Sequence, residues 1–284
     1  MNSNAVLANN SEFTIKWHAS LRLGFEKRSK KTVAAYVKHI GPLRIQRAFY
    51  PEEDGTCHVY LLHPPGGLVG GDELQYDIRL NEHSACLITT PGAAKIYRSD
   101  CLSKVNQQLS IAAGAILEWL PQESIVFNQA ISATNTSLHL EETSQLFFWD
   151  VCCLGRPSIN ERFTQGCFRQ NIVLYRSGQA VIIERNRFAG GHEIFDAVWG
   201  LQSYYINAIA ILTDNNNHGV ASYRQVIEYS EKQIIGLTRK NGFIICRYLG
   251  NSAEQAKSIF TRLWQHWRAM ETHRTSIIPR IWKT

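Results

Sequence analysis

Residues 63–80 read HPPGGLVGGDELQYDIRL, which joins a segment rich in glycine and proline to a strictly alternating one. In Glu73–Leu80, Leu74, Tyr76, Ile78 and Leu80 fall on one face and polar residues on the other. A period of two is typical of a strand with one buried face. This stretch therefore predicts a tight connection that leads directly into a β-strand.

Similar strand patterns recur roughly every 10 to 15 residues through the first two thirds of the chain, separated by turn residues. The predicted strands are Phe13–Phe25, Thr32–Val37, Leu43–Phe49, Cys57–Leu62, Ala85–Thr89, Val105–Ile111, Ile116–Leu120, Thr136–Leu140, Gln145–Trp149, and a hairpin of Ile172–Leu174 with Ala180–Glu184 that turns at Ser177-Gly178. We expect a mainly β body, as a sandwich, a barrel or a β-solenoid. Because no repeat of fixed period is visible, identical rungs are not expected.

The last third of the chain changes character. Apolar residues recur at helical spacing in Val220–Ile235 and Ser252–Glu271, where Ser252 is a candidate N-cap. Tyr204–Leu212 and Phe243–Tyr248 are predicted strands between and before them. The pattern predicts a small C-terminal α/β element of about two helices.

The composition is that of a globular protein: 44% of the 284 residues are hydrophobic and 19% are charged. We predict one domain over residues 1–284, with a β body at about 13–195 and a helix-containing part at about 196–284. The net charge of +6 is scattered. The densest basic cluster, Lys27–Lys31, lies between two predicted strands, so a solvated hairpin tip is favoured over a nucleic-acid interface.

Targeting and redox signals point to the cytoplasm. The N-terminal residues lack the basic and long apolar segments of a signal peptide, and no apolar run reaches the roughly 18 residues of a membrane helix. The seven cysteines are odd in number and form no CxxC pair. Free thiols in a reducing compartment are expected, without a structural zinc site.

The glycines of residues 63–72 suggest a phosphate-binding loop, but Asp72 occupies the place of the required lysine and a strand follows instead of a helix. Two prolines and paired glycines are equally typical of a structural crossover. Such a crossover does not explain Asp72, which directly precedes the alternating strand. Asp72 is therefore the candidate functional residue of this stretch.

Three other carboxylates stand in apolar surroundings: Glu118, Asp150 and Glu184. A carboxylate in such a place is costly unless it is paired, hydrogen-bonded or metal-bound. One interpretation is an ion pair with a nearby arginine, for which the candidates are Arg98, Arg156 and Arg185. The other is that several of these acids face a shared wet interior.

Signals of catalysis or of a stable metal centre are weak. The ten histidines are dispersed, without an HxH or HExxH motif, and no GxSxG elbow is present. The sequence therefore offers no recognisable catalytic constellation.

Several motifs together resemble the urease accessory protein family UreD, called UreH in some organisms. They cover nearly the whole chain and are Phe49–Glu53, His63–Asp72, Thr90–Ser99, Glu118–Glu123, Trp149-Asp150, Cys153–Pro157 and the terminal Pro279–Trp282. One departure is Ala94, where many relatives carry a serine, so a role for that hydroxyl is not expected here.

The resemblance implies an irregular β-helical body with a couple of helices and no catalytic activity. It implies a cytoplasmic chaperone for nickel insertion into urease, within a hetero-oligomer that contains neither nucleic acid nor membrane. The partners would be the urease apoprotein, UreF and, through UreF, the GTPase UreG. No cofactor would be tightly bound; Ni²⁺ would be transient, and GTP would act only through UreG.

The resemblance also implies an internal tunnel for Ni²⁺, with Asp72, Asp150 and Glu184 at positions thought to matter for passage. Glu118 is a further candidate on its apolar flanks alone. Scattered carboxylates suit a conduit, because a cation must enter and leave, whereas clustered His and Cys ligands would trap nickel. Two alternatives remain open: an adaptor with no metal role, and a β-solenoid carbohydrate-active enzyme using a carboxylate pair such as Asp72 and Glu184.

Overall fold

The computed structural model describes residues 17–283, which form two face-to-face β-sheets with a helical layer on one of them. The strands in chain order are β1 (His18–Arg28), β2 (Lys31–Ile40), β3 (Arg44–Ile45), β4 (Cys57–Leu62), β5 (Glu73–Leu80), β6 (Ala85–Thr89), β7 (Ala94–Ile96), β8 (Ser103–Ile111), β9 (Ile116–Leu120), β10 (Ser124–Val126), β11 (Ile131–Leu140), β12 (Gln145–Arg156), β13 (Glu161–Arg162), β14 (Cys167–Arg176), β15 (Gln179–Ala189), β16 (Ile206–Thr213), β17 (Gln233–Lys240) and β18 (Phe243–Gly250).

Between β4 and β14 the chain passes back and forth between the two sheets, and this makes the body β-helical. The first sheet has the order β15-β14-β11-β8-β5-β1-β2. The second has the main order β17-β18-β16-β12-β9-β6-β4-β3, with β7, β10 and β13 attached beside it. Strands β5, β8, β11 and β14 are parallel neighbours, as are β4, β6, β9 and β12. The expected mainly β, irregular β-helical body is confirmed.

The alternation read from Glu73–Leu80 faces the space between the sheets. Its inward residues join a core with apolar residues of both sheets, such as Leu109, Leu117 and Phe148. The strands of the second sheet are buried on both faces, because their other face packs against the helices. This is why Ile116–Leu120 and Gln145–Trp149 read as nearly continuous apolar runs.

Both predicted hairpins form. The basic segment Lys27–Lys31 contains the turn between β1 and β2, where Ser29 has a φ of 54°. Ser177 and Gly178 join β14 to β15. The prediction for Phe13–Phe25 is confirmed from His18 onward, while residues 13–16 lie outside the described residues. In contrast, Leu43–Phe49 is strand only at β3, although Phe49 forms an isolated bridge to His58.

The predicted helix Val220–Ile235 is wrong in its second half. Helix α1 spans only Gly219–Arg224, and the chain then enters β17, which pairs with β18. Tyr223 and Ile227 do pack into the helical layer, which explains the helical spacing at the start. Ile234 is 40% exposed and belongs to the strand.

The predicted C-terminal helix is confirmed as α2 (Ala253–Trp267), with a π-helical turn over Arg268–Thr272. The side chain of Ser252 accepts a hydrogen bond from the Gln255 amide at 3.1 Å, as expected of an N-cap. The apolar face of α2 buries Phe260, Trp264 and Trp267 against the second sheet. None of the helices described in residues 17–283 is long and apolar enough to cross a membrane.

Candidate functional site

The segment HPPGGLVGGD is a crossover from β4 in the second sheet to β5 in the first. Gly66 and Gly71 have φ values of 77° and 86°, which disfavour other residues. At Gly67 a Cβ would overlap Tyr97 and the Lys95 carbonyl, and at Gly70 it would overlap Ser99. The glycines therefore serve turning and close packing, as the crossover interpretation predicts.

A cavity of about 300 Å³ lies between the sheets, behind this crossover and the loop after β6. Its lining includes His63, Leu68, Leu74, Tyr76, Thr90, Ala94, Val105, Gln107, Trp119, Gln122, Ser124, Thr134 and Asp150. The wall is mostly apolar, and its inner end, towards β14, carries the polar side chains of Thr134 and Asp150. Asp150 is the one lining carboxylate among the described residues.

From this inner end, polar side chains continue between the sheets towards β15. We call Gln107, Thr134, Thr136, Asp150, Gln170, Asn186 and Glu184 the polar lane. Each lies at an inward position of its strand, since it shares the parity of buried core residues such as Leu109, Leu138, Ile172 and Ile182. Strands β8 and β15 are three spacings apart, so the lane spans roughly 14 Å.

Hydrogen bonds connect the middle of the lane. Gln170 Nε2 donates to Asp150 Oδ2 at 2.9 Å, which links the two sheets. Asn186 Nδ2 in turn donates to Gln170 Oε1 at 2.9 Å. Nearer the cavity, Thr136 Oγ1 donates to Gln107 Oε1 at 3.0 Å. The amide of Gln170 thus bonds the Asp150 carboxylate, and no cationic side chain among the described residues pairs with it.

The environment of Asp150 favours its neutral form. Burial raises the pKa of Asp150, while the hydrogen bond from Gln170 partly opposes this rise. A desolvated carboxylate that lacks a cationic partner gains from any cation that reaches it. Asp150 is thus a buried carboxylate with no cationic partner among the described residues, and its protonation would compete with the binding of any cation.

Glu184 ends the lane at the edge strand β15. Its carboxylate forms an ion pair with Arg247 of β18, which lies next to the edge strand β17 of the second sheet. The Arg247 side chain is 45% exposed, so this end of the lane reaches solvent. The structure therefore brings Asp150 and Glu184 into one inter-sheet layer.

Asp72 lies beside the cavity, outside the lane. It is buried, and its Oδ2 accepts the Val69 amide at 3.0 Å within its own turn. Its charge acts on His63, a cavity residue: burial lowers the pKa of His63 and Asp72 opposes that shift. One oxygen of the Asp72 carboxylate thus holds the crossover, and the charge of Asp72 is close enough to act on His63.

Glu118 lies on the opposite face of the second sheet, away from the lane. It accepts hydrogen bonds from Trp264 Nε1 at 3.0 Å and from Arg268 Nε and Nη2 at 2.9 and 2.7 Å. Arg268 Nη1 also binds Glu52 at 2.6 Å, and Glu52 binds His58 Nε2 at 2.6 Å. We call Glu52, His58, Glu118 and Arg268 the buried ion cluster; it joins the end of α2 to the β body.

The predicted ion pairing is correct in kind for Glu118 and Glu184, but the partners come from the C-terminal part of the chain. None of the candidates Arg98, Arg156 and Arg185 pairs with the four acids in the described ranges, and Arg156 instead binds Glu161 at 2.6 Å. Sequence analysis missed Gln170 and Asn186. Their signal was a polar residue at an inward position of a strand whose other inward positions are apolar.

Within residues 17–283 no three His, Cys, Asp or Glu side chains are grouped so that they could hold a metal ion. The lane offers isolated carboxylate, amide and hydroxyl oxygens. Oxygen donors bind borderline cations such as Ni²⁺ weakly when they are few. The geometry therefore suits brief contact with a cation better than its storage.

Comparison with known proteins gives a consistent family. The protein-family model described as UreD urease accessory protein matches residues 18–283. A urease accessory protein UreD of Saccharophagus degradans is 40% identical over 280 residues, covering 95% of this chain and 94% of that protein. A UreD of Nitrosococcus oceani is 37% identical over 273 residues, covering 95% and 91%. A UreD of Citrobacter koseri is 37% identical over 271 residues, covering 94% and 92%. The chain therefore belongs to the UreD family of urease accessory proteins.

Proposed function

We propose that this protein acts in urease maturation as a non-enzymatic chaperone that conducts Ni²⁺ through the polar lane. The observation that carries the proposal is the line of polar side chains between two otherwise apolar sheet faces, with Asp150 and Glu184 on it. Ni²⁺ is the cargo of this conduit. Membership of the urease accessory protein family supports urease as the recipient.

Weak and successive contacts are the physical basis of passage. Asp150 attracts a cation because no positive group neutralises it, and Gln170 holds its carboxylate in place. Glu184 is neutralised by Arg247. A cation that moves from Asp150 to Glu184 must displace Arg247. Because Arg247 competes for the Glu184 carboxylate, the cation stays only briefly at Glu184.

The partners follow from family membership and remain part of the proposal. UreF would bind this chain and recruit the GTPase UreG, whose GTP hydrolysis would drive delivery. The urease apoprotein would receive nickel from this chain, in the cytoplasm. The resulting assembly would be a hetero-oligomer without nucleic acid or membrane.

The proposal is tested by co-expressing urease and its accessory proteins with Asp150→Asn or Asp72→Ala. Nickel per urease is expected to fall several-fold, while co-purification of the chain with the apoprotein is unchanged. Asp77→Asn is the matched control, since Asp77 lies on the outer face of the first sheet in an exposed ion pair with Arg79. Equal nickel loading by all variants would contradict conduction.

The spacing of the acids argues against the enzyme alternative, whereas the adaptor alternative has to be decided by experiment. A glycosidase needs carboxylates about 5 to 10 Å apart, whereas Asp72 and Glu184 lie at or near strands four spacings apart, roughly 19 Å. Only the nickel measurement distinguishes the adaptor alternative from conduction through the lane. The adaptor alternative predicts that charge removal in the lane changes nothing as long as the complex assembles.

A further inference from the structure

Three exposed arginines meet at one corner of the first sheet, on its outer face. Arg169 of β14 is directly opposite Arg187 of β15, and Arg185 is opposite the next outward residue, Asn171. All three arginine side chains point away from the polar lane, because Gln170 and Asn186 point inward. We call Arg169, Arg185 and Arg187 the arginine corner.

Two cations directly opposite each other on neighbouring strands destabilise a sheet. Among the described residues, no carboxylate pairs with any arginine of the corner, although acids pair with arginines elsewhere on this face, as Asp77 does with Arg79. The same row continues through Ala133 to Lys104, a further exposed cation. The corner is thus a concentration of positive charge that folding alone does not need.

Hydrogen bonds between side chains connect the next row of outward residues. Asn171 donates to Asn135 at 2.9 Å, Asn135 to Asn106 at 3.0 Å, and Asn106 to Glu73 at 3.1 Å. These amides run from the arginine corner to a carboxylate on the far side of the face. Glu73 itself is opposite Lys104, in the row of Arg169 and Arg187, and lies three strands from Arg169, so it does not pair with the corner arginines.

The position of the corner suits contact with a protein. Strand β15 is the edge of its sheet, and Ile183, on the same outer face, is 52% exposed. An apolar side chain beside guanidinium groups is typical of protein interfaces, where arginine is enriched. Arginine also binds carboxylates in a bidentate manner, which gives a planar and directional contact.

We propose that the arginine corner docks an acidic segment of a partner protein against β14 and β15. The carboxylates of that segment neutralise the opposed arginines, and Ile183 supplies an apolar contact beside them. The occupant is acidic protein because the face presents exposed arginine together with exposed isoleucine. This inference does not depend on conduction through the lane.

The direct test measures binding of a fluorescent decaglutamate peptide to the full chain at low salt. The variant Arg169→Glu/Arg185→Glu/Arg187→Glu is expected to bind at least about tenfold more weakly. The matched control, Lys30→Glu/Lys38→Glu/Lys240→Glu, removes the same charge from exposed sites elsewhere, and is expected to change affinity less than threefold. Equal losses in both variants would overturn the proposal.

Two further measurements keep the test decisive. If the glutamate variant does not fold, the corresponding triple glutamine variant takes its place, and it is expected to melt no earlier than the parent because it removes the repulsion. A duplex DNA that binds the corner more tightly than the peptide would overturn the choice of a protein partner.

A pull-down of urease apoprotein with the same variants is a further test, and its interpretation rests on the proposed function. Loss of apoprotein by the corner variant alone would make urease the acidic partner. If the parent itself does not retain apoprotein, the proposed function fails, while peptide binding still decides the role of the corner.

Discussion

Replacing Arg268 with methionine tests whether the buried ion cluster anchors helix α2 to the β body. The Arg268 side chain is fully buried and is bonded to Glu118, Glu52 and the Thr275 carbonyl. Methionine fills most of the volume but leaves two carboxylates without their shared cation. Removing one partner of a buried pair costs about 3 to 5 kcal/mol.

The assay is thermal unfolding followed by circular dichroism. At roughly 2 to 4 °C per kcal/mol for a chain of this size, the midpoint should fall by roughly 6 to 20 °C. The matched control is Arg79→Met, because Arg79 is 65% exposed in its pair with Asp77. Such a surface pair contributes at most about 1 kcal/mol.

The loss should also depend on pH. Burial alone would raise the pKa of Glu52, but hydrogen bonds from His58 and Arg268 outweigh it and hold the pKa below its ordinary value. A lowered pKa in the folded state contributes stability above the ordinary pKa, and this is lost as pH falls through the folded value. The gap between Arg268→Met and the parent should therefore narrow in acid. A variant as stable as Arg79→Met at neutral pH would refute this role of the cluster.

Three further predictions concern the lane and the C-terminus. Burial raises the pKa of Asp150, so ionisation of its carboxyl group costs stability as pH rises through that raised value. In urea unfolding, the stability of Asp150→Asn relative to the parent should therefore increase from acidic to neutral pH. An equal difference at every pH would contradict this. Gln170→Leu removes the donor to Asp150 and should lower nickel per urease several-fold, whereas Gln108→Leu on the outer face should not. Trp282 packs against Trp149 with the rings tilted, and its Nε1 donates to Thr89 at 2.9 Å, so Trp282→Ala should cost about 2 to 4 kcal/mol. Trp199→Ala, at a side chain 70% exposed, is the control and should change stability little.

Much of the β body could be predicted from the sequence, because strands of the first sheet alternate apolar and polar residues while central strands of the second sheet form short apolar runs. Glu73–Leu80 shows the alternation, and its partner strands follow the same rule. The alternation of strands between two sheets was not visible, because it depends on which edges meet and not on local pattern. The short α1 was mistaken for a long helix because Tyr223 and Ile227 face the helical layer on either side of its end.

The candidate site was predictable in part. Asp150 and Glu184 stood out as acids in apolar strands, and both lie in the polar lane. Their surroundings were not predictable, since Gln170 and Arg247 are distant in sequence and meet the acids only through sheet packing. Glu118 also lies in an apolar run, yet it belongs to the buried ion cluster. The sequence pattern around an acid therefore does not reveal on which face of the sheet its side chain lies.

The most direct test of the central claim is the nickel content of urease matured with Asp150→Asn/Glu184→Gln. The control is Asp77→Asn/Glu26→Gln, which removes two carboxylates from ion pairs on the outer face. Urease is purified from equal amounts of assembled complex and its nickel is measured by atomic absorption. Conduction through the polar lane predicts nickel-poor urease from the first variant and full loading from the control. Full loading from both, with complexes intact, would contradict it.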